Sequence, residues 1–128
     1  MPSERPDAAN LLDMLHYAQE VASLVSGQDF ASYESDRKLQ LAVERGVEII
    51  GEAARGISRE FQNRHPEIPW QPIIAQRHIL AHEYGEVQAD RIWRVATIHL
   101  PKLIPLLTPL IPSLPESSKD EDVSKENR

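Results

Sequence analysis

The sequence predicts an all-α domain, an up-and-down bundle of four to five helices. Composition is the first indication, because Ala, Leu, Ile and Glu are common and only five Gly occur among 128 residues, which favours helix. Periodicity is the second, since apolar residues recur at spacings of three and four, as they do along one face of a helix. The third is that no segment alternates convincingly with period two, so no sheet is predicted.

The first predicted helix covers residues 7–26. Asp7 is its predicted N-cap, and Gly27 is a plausible residue to stop it. Residues 27–35, "GQDFASYES", are predicted to be a connector to the next helix. The apolar stripe of the first helix consists of Leu11, Leu15, Ala18, Ala22 and Val25.

The second predicted helix, residues 36–62, is the longest, and Ser35 is its predicted N-cap. Its apolar spacings are close to a heptad repeat. Gly46 lies within this stripe and costs about 1 kcal/mol of helix propensity, which is tolerable if another backbone approaches there. The stripe consists of Leu39, Val43, Gly46, Ile50, Ala53, Ile57 and Phe61.

Prolines end the second helix at "NRHPEIP", because the residue before a proline disfavours the α conformation. A third helix is predicted over residues 70–82, with Pro72 tolerated in its first turn. After a break at Gly85, Asp90 is the predicted N-cap of a fourth helix. Five prolines follow between residues 101 and 115 and should end that helix somewhere in 104–112.

The length suits one domain, and we predict that residues 1–112 form it. Residues 113–128 are polar, charged and without periodicity, and we predict that this tail is disordered. The net charge of the chain is −6, which argues against a general nucleic-acid coat protein that gains affinity from many phosphate contacts. A nuclease with a small basic cleft remains compatible with that charge.

Other bulk features exclude several classes of site and location. The chain has no Cys, so disulfides and thiolate metal sites are excluded. The N-terminus has no apolar signal-peptide core, and no run of 18 apolar residues occurs. We therefore expect a cytoplasmic protein without a membrane span.

The stretch "PIIAQRHILAHEYGEV", residues 72–87, concentrates the candidate functional groups. It contains Arg77, His78, His82 and Tyr84. The two histidines are four residues apart and could meet on one helix face. However, the order of residues does not match the zinc-protease pattern His-Glu-x-x-His, and no third ligand is evident, so no metal is predicted.

A catalytic interpretation suits RNA cleavage. An imidazole can move the 2′-hydroxyl proton, and a guanidinium can donate to the oxygens of a phosphorane. Arg77 and His82 are five residues apart, which separates them by about 140° around a straight helix. A distorted helix end, a bent Arg side chain or a second subunit would have to bring them together. The alternative is an ordinary helix edge with an exposed Arg, a capping His and a half-buried Tyr.

These residues resemble a known family. "RHILAHEY" is similar to the Arg-x-x-x-x-His-x-Tyr motif of HepT-like proteins in the HEPN superfamily of small helical ribonucleases. "AVERGVEIIGEAARGIS" resembles the long second helix of that family, and "HPEIPWQPII" resembles the connector that follows it. The resemblance covers roughly residues 10–107.

The resemblance implies an HEPN-like bundle that dimerises, with the motif helices facing each other across a composite cleft. It also implies a metal-independent endoribonuclease without a cofactor, the toxin of a toxin–antitoxin pair. Arg77 would then bind and polarise the scissile phosphate, and His82 would be the acid–base or phosphate-contacting residue. Tyr84 would be the acceptor that an MntA-like nucleotidyltransferase antitoxin adenylylates, in a hetero-oligomer whose size the sequence does not give.

Two features depart from the family pattern. His78 stands where many relatives carry Asn, so a third titratable group is a candidate accessory residue in the cleft. The proline-rich segment 101–115 replaces a last helix that is longer in relatives. Arg91 and Arg94 could extend a basic patch or belong to a solvated face, and the isolated His16, His65 and His99 are interpreted as surface or satisfied residues.

Two other interpretations stay open at this point. One is a non-catalytic helical dimer that docks a nucleotidyltransferase partner, and the other is a structural helical protein with an incidental motif. RNA cleavage that is lost in both Arg77→Ala and His82→Ala, while the dimer persists, would favour the enzyme over the docking module.

Overall fold

A computed structural model of the protein describes the backbone of residues 5–82 and 87–111 and the side chains of residues 5–76 and 89–111. Within these ranges every regular element is helical, so the predicted all-α class is confirmed. The elements are α1 (Asp7–Val25), α2 (Phe30–Glu34), α3 (Arg37–Arg55), α4 (Arg59–Arg64), α5 (Trp70–His82), α6 (Val87–Arg94), a π-helical turn (Val95–His99), α7 (Leu100–Leu107) and a 3₁₀ turn (Thr108–Leu110).

The long elements pack as a bundle around one core. α1 packs against α3 and α7, and α3 also packs against α5. The core is aliphatic, with Leu11, Met14, Ile50 and Leu107 almost completely buried. Dimerisation of this bundle remains a prediction.

Helix α1 follows its predicted boundaries closely. It ends at Val25, and Gly27 has a φ of 78°, the left-handed conformation that glycine adopts without a Cβ penalty. The predicted N-cap was wrong, because Pro6 holds that position and makes no side-chain capping hydrogen bond. Asp7 instead accepts hydrogen bonds from the Ser58 amide at 2.8 Å and from the Ser58 hydroxyl at 2.7 Å.

The predicted connector 27–35 contains the short helix α2. The Asp29 carboxylate caps it by accepting from the Ser32 amide at 2.9 Å, and this hydrogen bond is the first cause that lowers the pKa of Asp29. Tyr33 is completely buried, and its ring packs against Phe30 and Trp93. α2 was missed because five residues are too few to show helical periodicity.

The second predicted helix, 36–62, is two helices in the structure. Asp36, rather than Ser35, caps α3 by accepting from the Leu39 amide. α3 ends at Arg55, and Ser58 caps α4 by accepting from the Phe61 amide. The heptad-like stripe continues across this break because Ile57 is buried and Phe61 packs on the core, so periodicity alone could not reveal the interruption.

The glycine in the stripe of α3 meets a side chain of α1. Gly46 is buried, and a Cβ at this position would overlap Cγ2 of Val21. Val21 is itself almost fully buried. The absence of a side chain at Gly46 therefore lets α1 and α3 approach closely.

The last helical segment begins earlier than predicted and is irregular. α6 starts at Val87, so Asp90 lies in its first turn and is not the N-cap. A π-helical turn follows, in which the Leu100 amide donates to the Val95 carbonyl. This register change comes directly before Pro101, which has no amide hydrogen to donate. α7 then ends at Leu107 and the 3₁₀ turn at Leu110, within the predicted range 104–112.

No helix in the described part of the chain is long and apolar enough to cross a membrane. The predicted disordered tail, residues 113–128, lies outside the described residues.

Candidate functional site

Helix α5 carries the candidate motif, and its N-terminal end is firmly anchored. Trp70 is buried, and its indole N–H donates to the His65 carbonyl at 3.0 Å. Its ring meets Phe61 edge-on with centroids 6.3 Å apart. Ile68 is fully buried beside it. The apolar residues of the connector "HPEIPW" thus fix where α5 begins on the bundle.

The structure places the backbone of three predicted site residues on α5. Arg77 lies in the second half of the helix, His78 follows it, and His82 is the last residue. The directions of these three side chains are outside the described part, and Tyr84 lies outside the described residues altogether. Helical backbone from Arg77 to His82 retains the separation of about 140° around the axis, and the roles of all four residues stay predictions.

A cavity of about 330 Å³ lies beside α5, between this helix, α3 and the segment from the π turn into α7. Its walls are almost entirely apolar. Its lining residues are Val47 and Ile50 from α3, Pro69, Pro72, Ile73 and Gln76 from α5 and the residue before it, and Val95, His99, Leu100 and Leu103.

Two polar side chains interrupt the apolar lining. The Oε1 atom of Gln76 is shielded from solvent and has no hydrogen-bond partner among the described groups. His99 belongs to the same lining but is exposed, so its imidazole stands at the edge of the opening. Because Gln76 directly precedes Arg77, the cavity runs alongside the part of α5 that begins the motif.

Sequence reasoning did not place Gln76 and His99 at one cavity. His99 was interpreted as an isolated histidine, although it belongs to a run in which Val95, His99 and Leu103 recur every four residues. A polar residue in an apolar stripe was the available signal. Gln76 gave no comparable signal, because an unpartnered amide can be recognised only from its surroundings.

The acidic residues of α3 are partly neutralised by their own helix. Glu44 lies 3.5 Å from Arg37, and Glu48 lies 3.3 Å from Arg45. These pairs lie at least partly in solvent, where ion pairs contribute little stability. These carboxylates therefore have partners on α3 itself and need none from RNA-binding groups.

Of the two arginines considered for a basic patch, Arg94 is paired with Asp90 at 2.7 Å, and Arg91 is exposed. An Arg that faces a carboxylate adds little net positive potential for RNA. The structure therefore gives Arg94 a local ion pair on α6, and leaves only Arg91 as a candidate extension of the patch.

Tyr33 is a second buried polar group without a described partner, since its hydroxyl makes no hydrogen bond among these residues. Burial raises the pKa of this phenol to about 12, with a smaller contribution from the charge of Glu44, and Arg37 acts in the opposite direction. Its ring centroid lies 5.2 Å from that of Trp93 on α6. Tyr33 therefore joins α2 and α6 as a neutral aromatic group.

Among residues whose side chains the structure describes, no three His, Asp or Glu groups could together hold a metal ion. His78 and His82 are outside that set. A metal-independent mechanism therefore stays a prediction about the motif.

The chain matches a family described as ribonuclease HepT-like over residues 14–110. A Methanocaldococcus jannaschii protein named as a putative RNase is 32% identical over 101 residues, which cover 79% of this chain and 93% of that protein. A Thermococcus cleftensis protein named as a probable ribonuclease HepT is 39% identical over 74 residues, 58% of this chain and 67% of that protein. A Caldanaerobacter subterraneus protein named as a putative RNase is 33% identical over 103 residues, covering 80% and 89%. No solved structure matches.

Proposed function

Because the chain belongs to the HepT-like ribonuclease family, we propose that it is a metal-independent endoribonuclease that acts as the toxin of a toxin–antitoxin pair. The observation that carries this proposal is the extent of the family match, which spans the helical domain and includes Arg77, His82 and Tyr84. The helical backbone found for residues 70–82 supports it, since the motif needs those groups at helical spacing.

In the proposed reaction, the 2′-hydroxyl of a ribose attacks the neighbouring phosphorus. His82 accepts the proton of that hydroxyl, which is chemistry suited to an imidazole near neutral pH. Arg77 donates hydrogen bonds to the phosphoryl oxygens as negative charge builds up on them. The bond to the 5′-oxygen then breaks as that oxygen takes the proton from the His82 imidazolium, so the products are a 2′,3′-cyclic phosphate and a 5′-hydroxyl end, and His82 is neutral again.

A second copy of the chain completes the site in this proposal. On the α5 backbone, positions 77 and 82 are about 140° apart around the helix axis, so the helix alone does not bring Arg77 and His82 together. Two α5 helices that face each other across a cleft can place the Arg of one copy beside the His of the other. Four positive or titratable groups in one cleft also concentrate positive potential on an otherwise acidic protein.

Neutralisation is proposed to occur at Tyr84. A nucleotidyltransferase partner would transfer the adenylyl group of ATP to the phenolic oxygen, releasing pyrophosphate. The added phosphodiester brings negative charge and bulk to the cleft, where both oppose RNA binding.

His78, next to Arg77 on α5, would be an accessory contact to the phosphate of the RNA.

Cleavage of RNA by the purified full chain in the presence of a chelator tests the reaction. We expect Arg77→Ala and His82→Ala each to lower the rate by at least 100-fold, since removal of one such group commonly costs that much. The matched controls are Arg59→Ala and His16→Ala, which remove the same side-chain types from exposed positions on α4 and α1. Light scattering checks that each variant keeps the assembly state of the original protein.

A need for added divalent metal, together with full activity of His82→Ala, would contradict this mechanism.

A separate experiment tests modification of the tyrosine. The intact mass of the protein after co-expression with the partner should show AMP additions that Tyr84→Phe removes and Tyr17→Phe retains. Silencing of the toxin without any modification would indicate inhibition by binding alone.

A further inference from the structure

The cavity between α3, α5 and α7 has the dimensions and lining of a ligand pocket. Its volume of about 330 Å³ lies at the lower end of the range of roughly 300–1,000 Å³ for small-molecule sites. Side chains such as Ile73, Val47 and Leu103 offer apolar contact, and Pro69 and Pro72 add rigid rings. A volume of this size suits a small ring system.

The carboxamide of Gln76 adds a hydrogen-bond acceptor that a ligand in this pocket should satisfy. Its Oε1 atom is shielded from solvent but accepts no hydrogen bond from any described group, and a buried acceptor in that state is costly. Gln76 is one of the two polar residues that line the cavity, so its carboxamide is available to a ligand there. The ligand that suits the site therefore combines an apolar ring face with an N–H donor at its edge.

The charge of the chain indicates how RNA would have to be held. With a net charge of −6, the protein cannot rely on many phosphate contacts, which dominate the affinity of basic RNA-binding surfaces. Contacts to an unstacked base add affinity without requiring positive charge, because every base has a π face. An apolar pocket beside the motif helix supplies such contacts.

We propose that this cavity is a subsite for one unpaired nucleobase of the RNA substrate, next to the scissile phosphate. This inference rests on the proposed ribonuclease function. The base lies between the apolar walls, and its amino or ring N–H donates to Oε1 of Gln76. Proteins recognise single-stranded RNA by such splayed bases, and Gln76 immediately precedes Arg77, the proposed phosphate-binding residue, on α5.

Mapping of cleavage positions on a randomised single-stranded RNA tests the subsite. We expect the original protein to favour particular bases at one nucleotide beside the cut. Gln76→Leu, which keeps the shape and removes the acceptor, should abolish that preference and lower kcat/KM about tenfold on the favoured sequence. Ile73→Phe, which fills the cavity, should have the same effect on base preference.

Gln71→Leu is the matched control, because Gln71 is exposed on the same helix and does not line the cavity. It should retain both the rate and the base preference. Circular dichroism and thermal unfolding establish that each variant is folded. Unchanged cleavage patterns in folded Gln76→Leu and Ile73→Phe would overturn the inference while leaving the proposed ribonuclease function intact.

A change of assembly state would also overturn it. If Gln76→Leu or Ile73→Phe dissociates the protein in light scattering while base preference persists, the cavity is covered by another protein chain. If the original protein does not cleave RNA, the proposed function fails, and titration with the four nucleoside monophosphates decides the subsite separately. A shift of the Gln76 side-chain amide resonance by a nucleotide, absent in Ile73→Phe, would support the subsite, and no shift would overturn it.

Discussion

Two contacts of α3 are packed very differently. Against α1, Gly46 allows so close an approach that even a methyl group would overlap Val21. Towards α5 and α7, Val47 and Ile50 border a cavity of about 330 Å³ that those helices leave unfilled. Residues next to each other on one helix therefore take part in a contact without room for a methyl group and in the lining of an apolar cavity.

The largest expected effect on stability comes from truncating a leucine in the filled core, compared with truncating a leucine beside the cavity. Leu11 is completely buried on α1, whereas Leu103 is buried on α7 but borders the cavity. We expect Leu11→Ala to lower the free energy of unfolding by about 3–4 kcal/mol and Leu103→Ala by about 2 kcal/mol, because the latter loses fewer packing partners. Urea unfolding at one fixed protein concentration measures both. An equal or larger loss at Leu103 would show that the cavity is filled in solution.

A smaller effect on stability is expected from adding a methyl group at Gly46, where α1 and α3 meet. Gly46→Ala gains helix propensity of about 1 kcal/mol but forces the new methyl group against Val21, and such overpacking typically costs about 1–3 kcal/mol. We expect a net loss of about 1 kcal/mol in the free energy of unfolding. In a Val21→Ala background the same change should be neutral or stabilising, because the overlapping atom is gone. Equal effects in both backgrounds would show that Gly46 does not limit the approach of α1.

The smallest effect on stability is expected at Tyr33, which is buried but whose hydroxyl lacks a described hydrogen-bond partner. Tyr33→Phe removes the buried hydroxyl, so we expect it to change the free energy of unfolding at neutral pH by less than about 0.5 kcal/mol. A large loss would instead reveal a hydrogen bond at this hydroxyl. Chemical denaturation at neutral pH measures the change.

The same tyrosine predicts a pH dependence with a definite sign. The pKa of Tyr33 is raised from 10.0 to about 12, so between these values the unfolded chain releases the phenolic proton and the folded chain keeps it. This group therefore stabilises the fold fully below pH 10, and its contribution is lost as the pH rises toward about 12. Tyr33→Phe should flatten that part of the stability profile. Tyrosinate absorbance gives an independent titration of the same group.

The main helices could be predicted because their signal is local. The stripe from Leu11 to Val25 and the prolines before Trp70 fix α1 and α5 to within one residue of the predicted ends. The failures occur where distant groups intervene. The carboxylate of Asp7 bonds to Ser58, 51 residues away, and Ser58 in turn caps α4, so neither the function of Asp7 nor the break after Arg55 was visible in nearby sequence.

The candidate site divides in the same way. Spacing placed Arg77 and His82 on one helix, and the backbone of α5 agrees, since helical periodicity depends only on neighbouring residues. The cavity could not be predicted from those residues, because Gln76 and His99 are brought together by the packing of α5 against α3 and by the path of the chain through the π turn.

The sequence by itself determined that this protein is helical, where its motif helix begins, and which polar groups that helix carries. These follow from hydrogen bonding and apolar periodicity within a few turns of chain. Only the tertiary structure decided where the helices pack closely and where they enclose a cavity, because the fit between two surfaces depends on the shapes of both. The proposed base subsite therefore could not be predicted from the sequence.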